Sequence, residues 1–263
     1  MEKGTTWTTR YLMKELAEKK DEIEMYIADV CSREHSTFST PKEVEETFGT
    51  KVDQYSESLT YRDAETLRHY TGYYFRFINN VMRNKWNYYE NGLLTEEKKQ
   101  DYLKIGEAVR RIIHKFPKLD ANIKTYRGVS LRAFYDYGIT SLEELVHMEG
   151  KYMLEDGFSS TSLLRDHSFF EKELGWADYC NIEIEFIIPE ESQDGALLLS
   201  ESLSYAQAQI EYVINCNSLF KITSVQVDKA NKRAYIKAVL VPKVLWDPIE
   251  VRQLDEETNR HTK

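Results

Sequence analysis

The feature that most constrains the fold of this chain is a change in hydrophobic periodicity near residue 121. Before it, apolar residues recur at the spacing of amphipathic helices, roughly in 9–32, 61–86 and 94–116. After it come short runs of β-branched and aromatic residues separated by turns, for example "NIKTYRGV", "NIEIEFIIP" and "RAYIKAVLVP". Helices followed by strands predict an α+β fold, in which the N-terminal helices pack on a β core.

The same pattern suggests the organisation of the chain. A polar stretch with Pro41, "REHSTFSTPKEVEETFG", is typical of a connector, and Thr95 precedes charged residues as a helix start does. We therefore expect an N-terminal helical arm and connector in residues 1–45 and a main domain in 46–245. The polar residues 246–263 are expected to form a C-terminal tail.

Charge and cysteine content exclude several classes of protein. The formal net charge of -9 disfavours nonspecific binding to nucleic acid or to an anionic membrane. Cys31, Cys180 and Cys216 are widely spaced and include no CxxC motif, so neither a disulfide framework nor a zinc site is expected. No apolar run is long enough to span a membrane, and the charged start does not resemble a signal peptide.

Three polar clusters interrupt the strand-rich half. In "TYRGV", Arg127 offers a planar fork of donors suited to phosphate, although a surface ion pair is the more common explanation of a single arginine. The cluster "FSSTS" holds hydroxyls that commonly bond to backbone. Gln209 and Glu211 stand two apart in "QIEYVI", so on a strand their side chains share one face and can reach one ligand.

The order of these clusters carries more information than any one of them. "YRG", then "SSTS", then "QIEYVI" resembles the arginine, Ser-Thr-Ser and Gln-x-Glu signature of bacterial mono-ADP-ribosyltransferase toxins. Upstream, "HYTGYYFRFINNVMR" is similar to the family's helix motif, with Met82 in place of a leucine. The closest pattern is that of the Rho-modifying clostridial exoenzymes and the enzymatic components of actin-modifying binary toxins. The resemblance implies a mixed, two-sheet β core and cleavage of NAD without a metal.

The resemblance also implies roles for individual residues. Glu211 would stabilise the charge that develops on the ribose, and Ser160 would orient it. Arg127 would hold the diphosphate of NAD. Further NAD contacts would come from the residues of the same motifs, namely Asn79, Arg83, Tyr126, Gly128, Thr161 and Ser162.

By the same resemblance, Gln209 would determine which side chain of the target accepts ADP-ribose. Glutamine at this position accompanies transfer of ADP-ribose to Asn or Gln side chains, because an amide can bond both ends of another amide. Tyr205 would contact the target protein. The sequence departs from the family pattern at two places that concern the target. One extra residue separates Tyr205 from Gln209, and no Arg-Pro follows the Ser-Thr-Ser cluster. In the loop after that cluster, an aromatic residue could stack on nicotinamide, and the candidates are Phe169, Phe170 and Trp176.

Several alternatives stay open at this stage. Glu183 and Glu185 also stand two apart on a predicted strand, as the paired glutamates of arginine-modifying enzymes do, but alternation with apolar neighbours favours a solvent-facing structural role. A NAD glycohydrolase would need Arg127, Ser160 and Glu211 but not Gln209. Transfer to arginine or to a non-protein acceptor, and a noncatalytic binding module, are further possibilities.

Partners and location follow from the resemblance alone. It implies NAD as substrate and a target protein, for which a host GTPase and actin are candidates. It also implies a secreted or injected bacterial effector that acts in the cytoplasm of a target cell.

Overall fold

The computed structural model describes residues 17–83, 95–168, 170, 172, 179–190, 192–200, 202–204, 210–247, 251–253 and 255. Helices dominate its first half and strands its second, as the periodicity predicts. The α-helices are α1 (Lys20–Ser32), α2 (Pro41–Ser58), α3 (Tyr61–His69), α4 (Phe75–Met82), α5 (Glu96–His114) and α6 (Lys243–Trp246). Single 3₁₀ turns or short 3₁₀ helices lie at Leu131–Tyr137, Glu143–Met148 and Arg165–His167.

Threonine caps define the starts of three helices. The Thr95 hydroxyl accepts a hydrogen bond from the Lys98 backbone amide, which confirms the predicted start of α5. Thr40 caps α2 in the same way, and Pro41 occupies its first turn, where a proline loses no hydrogen bond. The expectation that residues up to 49 form a connector is therefore wrong from Pro41 onward. Only the preceding stretch connects α1 to α2, and it contacts the start of a strand through Ser36 and Ile123.

The long helix expected over residues 61–86 is broken. A π-helical turn at Tyr70–Tyr74 separates α3 from α4, and Gly72 has a non-helical backbone there, with φ -85° and ψ -119°. Glycine reaches such a conformation at little steric cost. Beyond the break, the Asn79 side chain of α4 contacts Phe158 in the turn that leads into β3.

Eight strands form one hydrogen-bonded sheet in the order β2-β7-β8-β4-β1-β3-β6-β5. Their bounds are β1 (Ile123–Val129), β2 (Tyr152–Glu155), β3 (Ser159–Ser162), β4 (Ile182–Ile188), β5 (Gly195–Leu198), β6 (Glu211–Ile214), β7 (Ser218–Asp228) and β8 (Arg233–Val241). The β4–β8 pair is parallel and the other pairs are antiparallel. The mixed α+β class is confirmed.

The two expected sheets are joined into one ladder. The join is narrow, because β1 and β3 share a single register pair, Tyr126 with Ser162. On one side lie β2, β7, β8, β4 and β1, and on the other lie β3, β6 and β5. A main apolar core packs α2, α3, α4 and α5 against both sides.

The N-terminal helix α1 packs on the far part of the sheet. Its apolar face joins Trp246 and residues of β4, β7 and β8 in a second core. The Glu24 carboxylate accepts hydrogen bonds from Lys221 on β7 and from the Tyr152 hydroxyl on β2, the latter at 2.9 Å. Helix α1 is thus docked by apolar contacts and by an ion pair. Separate domains at 1–45, 46–245 and 246–263 stay a prediction.

Candidate active site

Glu211 is the first residue of β6, in the middle of the three-stranded part of the sheet. Ser162 on β3 and Leu198 on β5 are its register partners. Its side chain is 3% exposed, yet both carboxylate oxygens are bonded. The Ser160 hydroxyl donates to Oε1, and the Ser204 hydroxyl donates to Oε2 at 3.1 Å. Two hydroxyls from different segments therefore fix the orientation of the carboxylate.

The surroundings of Glu211 affect the pKa of its carboxyl in opposite directions. Burial raises the pKa of this carboxyl, because a low-polarity environment disfavours its charged form. The hydroxyls of Ser160 and Ser204 and the positive charge of Arg127 counter that effect. A group of this kind is a partly desolvated anion, which interacts strongly with any positive charge that develops beside it.

The residue before Glu211 has a strained backbone. Ile210 adopts φ 49°, in the left-handed region that a β-branched residue rarely enters. Its carbonyl accepts a hydrogen bond from the Leu163 amide at 3.2 Å, and its side chain is buried. Strain of this type costs about 1–3 kcal/mol and is often found at functional sites. Here it determines how the chain enters β6 at the carboxylate.

Arg127 lies on β1 and is half-buried. Within the part of the chain that the structure describes, its guanidinium has no hydrogen-bond or ion-pair partner. Burial lowers the pKa of Arg127, and the nearby positive charge of Arg83 lowers it further. A surface ion pair, the alternative explanation of this arginine, is absent from the described residues. An unpaired, partly desolvated guanidinium near a second arginine is suited to bind an anionic ligand.

Arg83 and Asn79 hold the turn that leads into β3. The Arg83 guanidinium donates to Glu155 at 2.7 Å and to the Phe158 carbonyl at 3.3 Å. The Asn79 side-chain oxygen accepts from the Phe158 amide at 2.8 Å, and its nitrogen donates to the Tyr70 hydroxyl at 3.3 Å. These contacts place α4 beside β3. The prediction that Asn79 and Arg83 also contact NAD stays a prediction.

Gly157 explains how this turn comes so close to α4. A Cβ atom at this position would lie 2.9 Å from Arg83 Nε and 3.0 Å from the Asn79 side-chain oxygen. Such distances are shorter than van der Waals contact, so a larger residue would displace both side chains. Glycine therefore permits the close approach.

The other predicted contact residues are near Arg127 and Ser160 along the chain but have structural partners. The Thr161 hydroxyl donates to the Tyr212 carbonyl at 2.7 Å, and the Ser162 hydroxyl accepts from the Leu164 amide at 3.0 Å. Backbone bonding, the simpler explanation of this hydroxyl cluster, thus accounts for Thr161 and Ser162 but not for Ser160. Gly128 donates its amide to the Ser168 carbonyl at 2.6 Å.

Tyr126 is buried, with 7% of its surface exposed, and the Arg165 guanidinium lies 6.0 Å from the centre of its ring. Burial raises the pKa of its hydroxyl. The roles of Tyr126, Gly128, Thr161 and Ser162 toward NAD stay predictions.

The competing pair of glutamates is engaged elsewhere. Glu183 on β4 is paired with Arg165 at 3.0 and 2.5 Å, and Glu185 is paired with Lys124 at 3.2 Å. Glu183 is 4% exposed, so the expectation that it faces solvent is wrong. Its strand lies inside the sheet between β8 and β1. Both carboxylates are therefore neutralised by partners of their own, unlike Glu211.

The family of the chain is decided by a comparison of its sequence with family models. The model described as ADP-ribosyltransferase exoenzyme matches residues 45–243. The chain belongs to the ADP-ribosyltransferase exoenzyme family. It is therefore an NAD-dependent mono-ADP-ribosyltransferase of the bacterial toxin type, with NAD as its substrate.

Solved structures of exoenzymes share the fold. C3stau2 from S. aureus, solved with NAD, is 19% identical, with a TM-score of 0.62 over 80% of this chain and 100% of that one. The C3 exoenzyme of Clostridium limosum is 21% identical, with a TM-score of 0.60 over 80% and 98% of the two chains. Vis toxin from Vibrio splendidus is 19% identical, with a TM-score of 0.54 over 83% and 93%. A search of curated protein sequences found no match.

The described residues contain neither a candidate membrane-spanning helix nor a candidate metal-ligand cluster. No helix there is both long and apolar enough to cross a bilayer. No three His, Cys, Asp or Glu side chains in those ranges are grouped as metal ligands would be.

Several predicted residues of the exoenzyme lie outside the described residues. They are Tyr205, Gln209, Phe169 and Trp176. Phe170 is described, and its half-buried ring lies 5.6 Å from that of Tyr235. Sequence reasoning missed Ser204, which no motif singles out. Its position directly before Tyr205, the predicted target contact, was the one available signal, but its burial could not be predicted from the sequence.

Proposed function

We propose that this exoenzyme transfers ADP-ribose from NAD to an asparagine or glutamine side chain of a target protein. The observation that carries the proposal is the buried Glu211 carboxylate, held by Ser160 and Ser204 and accompanied by the unpaired guanidinium of Arg127. This combination offers an anion for a cationic ribose and a cation for a diphosphate. Both charges are needed to bind and cleave NAD.

The proposed reaction breaks the bond between nicotinamide and the ribose carbon. The electron pair of that bond stays on the nicotinamide nitrogen, which loses its positive charge, and the ribose becomes oxocarbenium-like. Glu211 stabilises this charge through a ribose hydroxyl, while Arg127 keeps the diphosphate in place. The acceptor nitrogen then bonds to the ribose carbon and loses a proton.

Acceptor choice rests on Gln209 and on the family resemblance. An amide side chain at this position can pair with the amide of Asn or Gln through one donated and one accepted hydrogen bond. Vis toxin, a structural neighbour, has been solved in complex with agmatine, a guanidino compound. Arginine is therefore the competing acceptor that an assay has to include.

Target and location follow the same reasoning. The likeness to C3 exoenzymes supports a host GTPase as the target, and actin is the second candidate. We expect the protein to be a bacterial effector that meets its target in the cytoplasm of another cell.

The decisive experiment combines acceptor mapping with paired activities. The protein is incubated with labelled NAD and a eukaryotic cell extract, with agmatine in a parallel sample, and the modified residue is mapped by mass spectrometry. Asn or Gln is expected as the acceptor, and modified arginine or agmatine would contradict the proposal. Nicotinamide release without extract measures cleavage alone.

Variants separate the two steps of the reaction. Glu211→Gln should lower both transfer and cleavage by at least about 100-fold, as loss of one preorganised charged group does. Gln209→Ala and Tyr205→Ala should lose transfer and keep nicotinamide release. If Gln209→Ala loses both activities in a folded protein, Gln209 belongs to NAD binding and the basis for an amide acceptor disappears.

NAD glycohydrolase activity is the second candidate. The groups that hold Glu211 all come from the chain itself, so cleavage needs no bound target. A protein that releases nicotinamide at the same rate with and without extract, and labels no protein, would favour this alternative.

A further inference from the structure

Ser204 is the second hydroxyl on the carboxylate and lies on a segment separate from the Ser-Thr-Ser strand. It is 0% exposed, and its amide donates to the Ser200 carbonyl at 3.1 Å, which fixes the turn before it. Its hydroxyl donates to Glu211 Oε2 at 3.1 Å. Because Ser160 already occupies Oε1, only both hydroxyls together fix the plane of the carboxylate.

Ser204 also stands next to the segment that is expected to meet the target. Residues 205–209 follow it directly, and the strained Ile210 ends that segment at the start of β6. The two described residues that flank it, Ser204 and Ile210, therefore both lie beside Glu211. We propose that Ser204 is a positioning residue for NAD cleavage, which orients Glu211 from the side of the target-recognition segment.

This inference rests on the proposed role of Glu211. A purely structural role for Ser204 would show only as lower stability after its removal. A positioning role would change the reaction itself. The hydroxyl of Ser204 lowers the pKa of Glu211 against the effect of burial, so its loss raises that pKa further. Since the ionised carboxylate is the active form, the acid limb of the activity profile then moves to higher pH.

The test compares Ser204→Ala with Ser202→Ala by nicotinamide release over a pH series. Ser202 is a matched control, because it lies two residues away and its exposed hydroxyl bonds Ser200, at 2.7 Å, and no other residue that the structure describes. For Ser204→Ala we expect kcat to fall about 10- to 100-fold, with KM nearly unchanged and the acid limb shifted upward. Ser202→Ala should behave like the wild type.

Two outcomes are distinguishable. If Ser204→Ala keeps the wild-type kcat and pH profile while Glu211→Gln is inactive, the inference about Ser204 fails and the proposed function survives. If Glu211→Gln itself cleaves NAD, the proposed function fails. Thermal unfolding identifies any variant that does not fold. If Ser204→Ala does not fold, Ser160→Ala takes its place in the same assay, because it removes the other hydroxyl that donates to the Glu211 carboxylate.

Discussion

Replacing Arg127 by lysine separates ligand binding from stability, because this guanidinium has no partner of its own among the described residues. Lysine keeps the positive charge but cannot present two parallel donors to a diphosphate. No polar contact among the described residues is lost, so the free energy of unfolding should change by less than about 0.5 kcal/mol. The affinity for NAD should change far more.

The size of the effect follows from the number of hydrogen bonds. A hydrogen bond to a charged group contributes about 1.5–3 kcal/mol, and lysine loses one of the two that arginine can form. This corresponds to a Kd for NAD that is about 10- to 150-fold higher. Calorimetric titration with NAD measures the affinity, and thermal unfolding without NAD measures the stability.

Arg83→Lys, at the residue that follows α4, is the matched comparison. Arg83 bonds both Glu155 and the Phe158 carbonyl, which one ammonium group cannot reproduce, so this variant should lose about 1–3 kcal/mol of stability. An Arg127→Lys protein that loses stability to the same extent, or that keeps its NAD affinity, would refute the assignment of Arg127 to the diphosphate.

Three further predictions test the environment of the site. Burial raises the pKa of Glu211, so its ionised form costs stability above that pKa and the cost vanishes as pH falls through it. Glu211→Gln should therefore raise Tm at neutral pH and lose this gain in acid, and a pH-independent Tm difference would argue against the buried charge. Gly195→Ala would place a Cβ 2.5 Å from the Tyr212 ring, and urea unfolding should show a loss of about 1–3 kcal/mol. Glu183→Gln should lower stability by breaking its pair with Arg165, while nicotinamide release continues, and an inactive folded variant would reopen the competing assignment.

The core of the site could be predicted from the sequence, because the arginine, Ser-Thr-Ser and Gln-x-Glu motifs occur in the same order as in the toxin family. The Ser-Thr-Ser cluster and the Gln-x-Glu stretch are far apart in sequence, yet the resemblance to the toxin family implies that Ser160 orients Glu211, and the two side chains are hydrogen-bonded in the structure. Helix α5 is predicted for a local reason, since Thr95 and the charged residues after it are a capping signal.

Other features depend on tertiary contacts that no local pattern encodes. Strand β3 consists entirely of hydroxyl residues, so it lacks the apolar alternation that predicts a strand. Glu183 alternates with apolar residues as a surface residue does, but its strand has neighbours on both sides and its charge is paired within the fold. The start of α2 is different, because Thr40 and Pro41 carried the helix signal and the connector interpretation overlooked it.

The single pair that joins the two parts of the sheet has a mechanical consequence. Arg127 lies on β1, on one side of the Tyr126–Ser162 pair, while Ser160 and Glu211 lie on the other. A narrow junction between two stiff bodies acts as a hinge, so a small rotation there alters the distance between the anion-binding guanidinium and the carboxylate. We therefore expect product release to involve a small rotation at this junction, which would leave the hydrogen bonds that hold Glu211 intact.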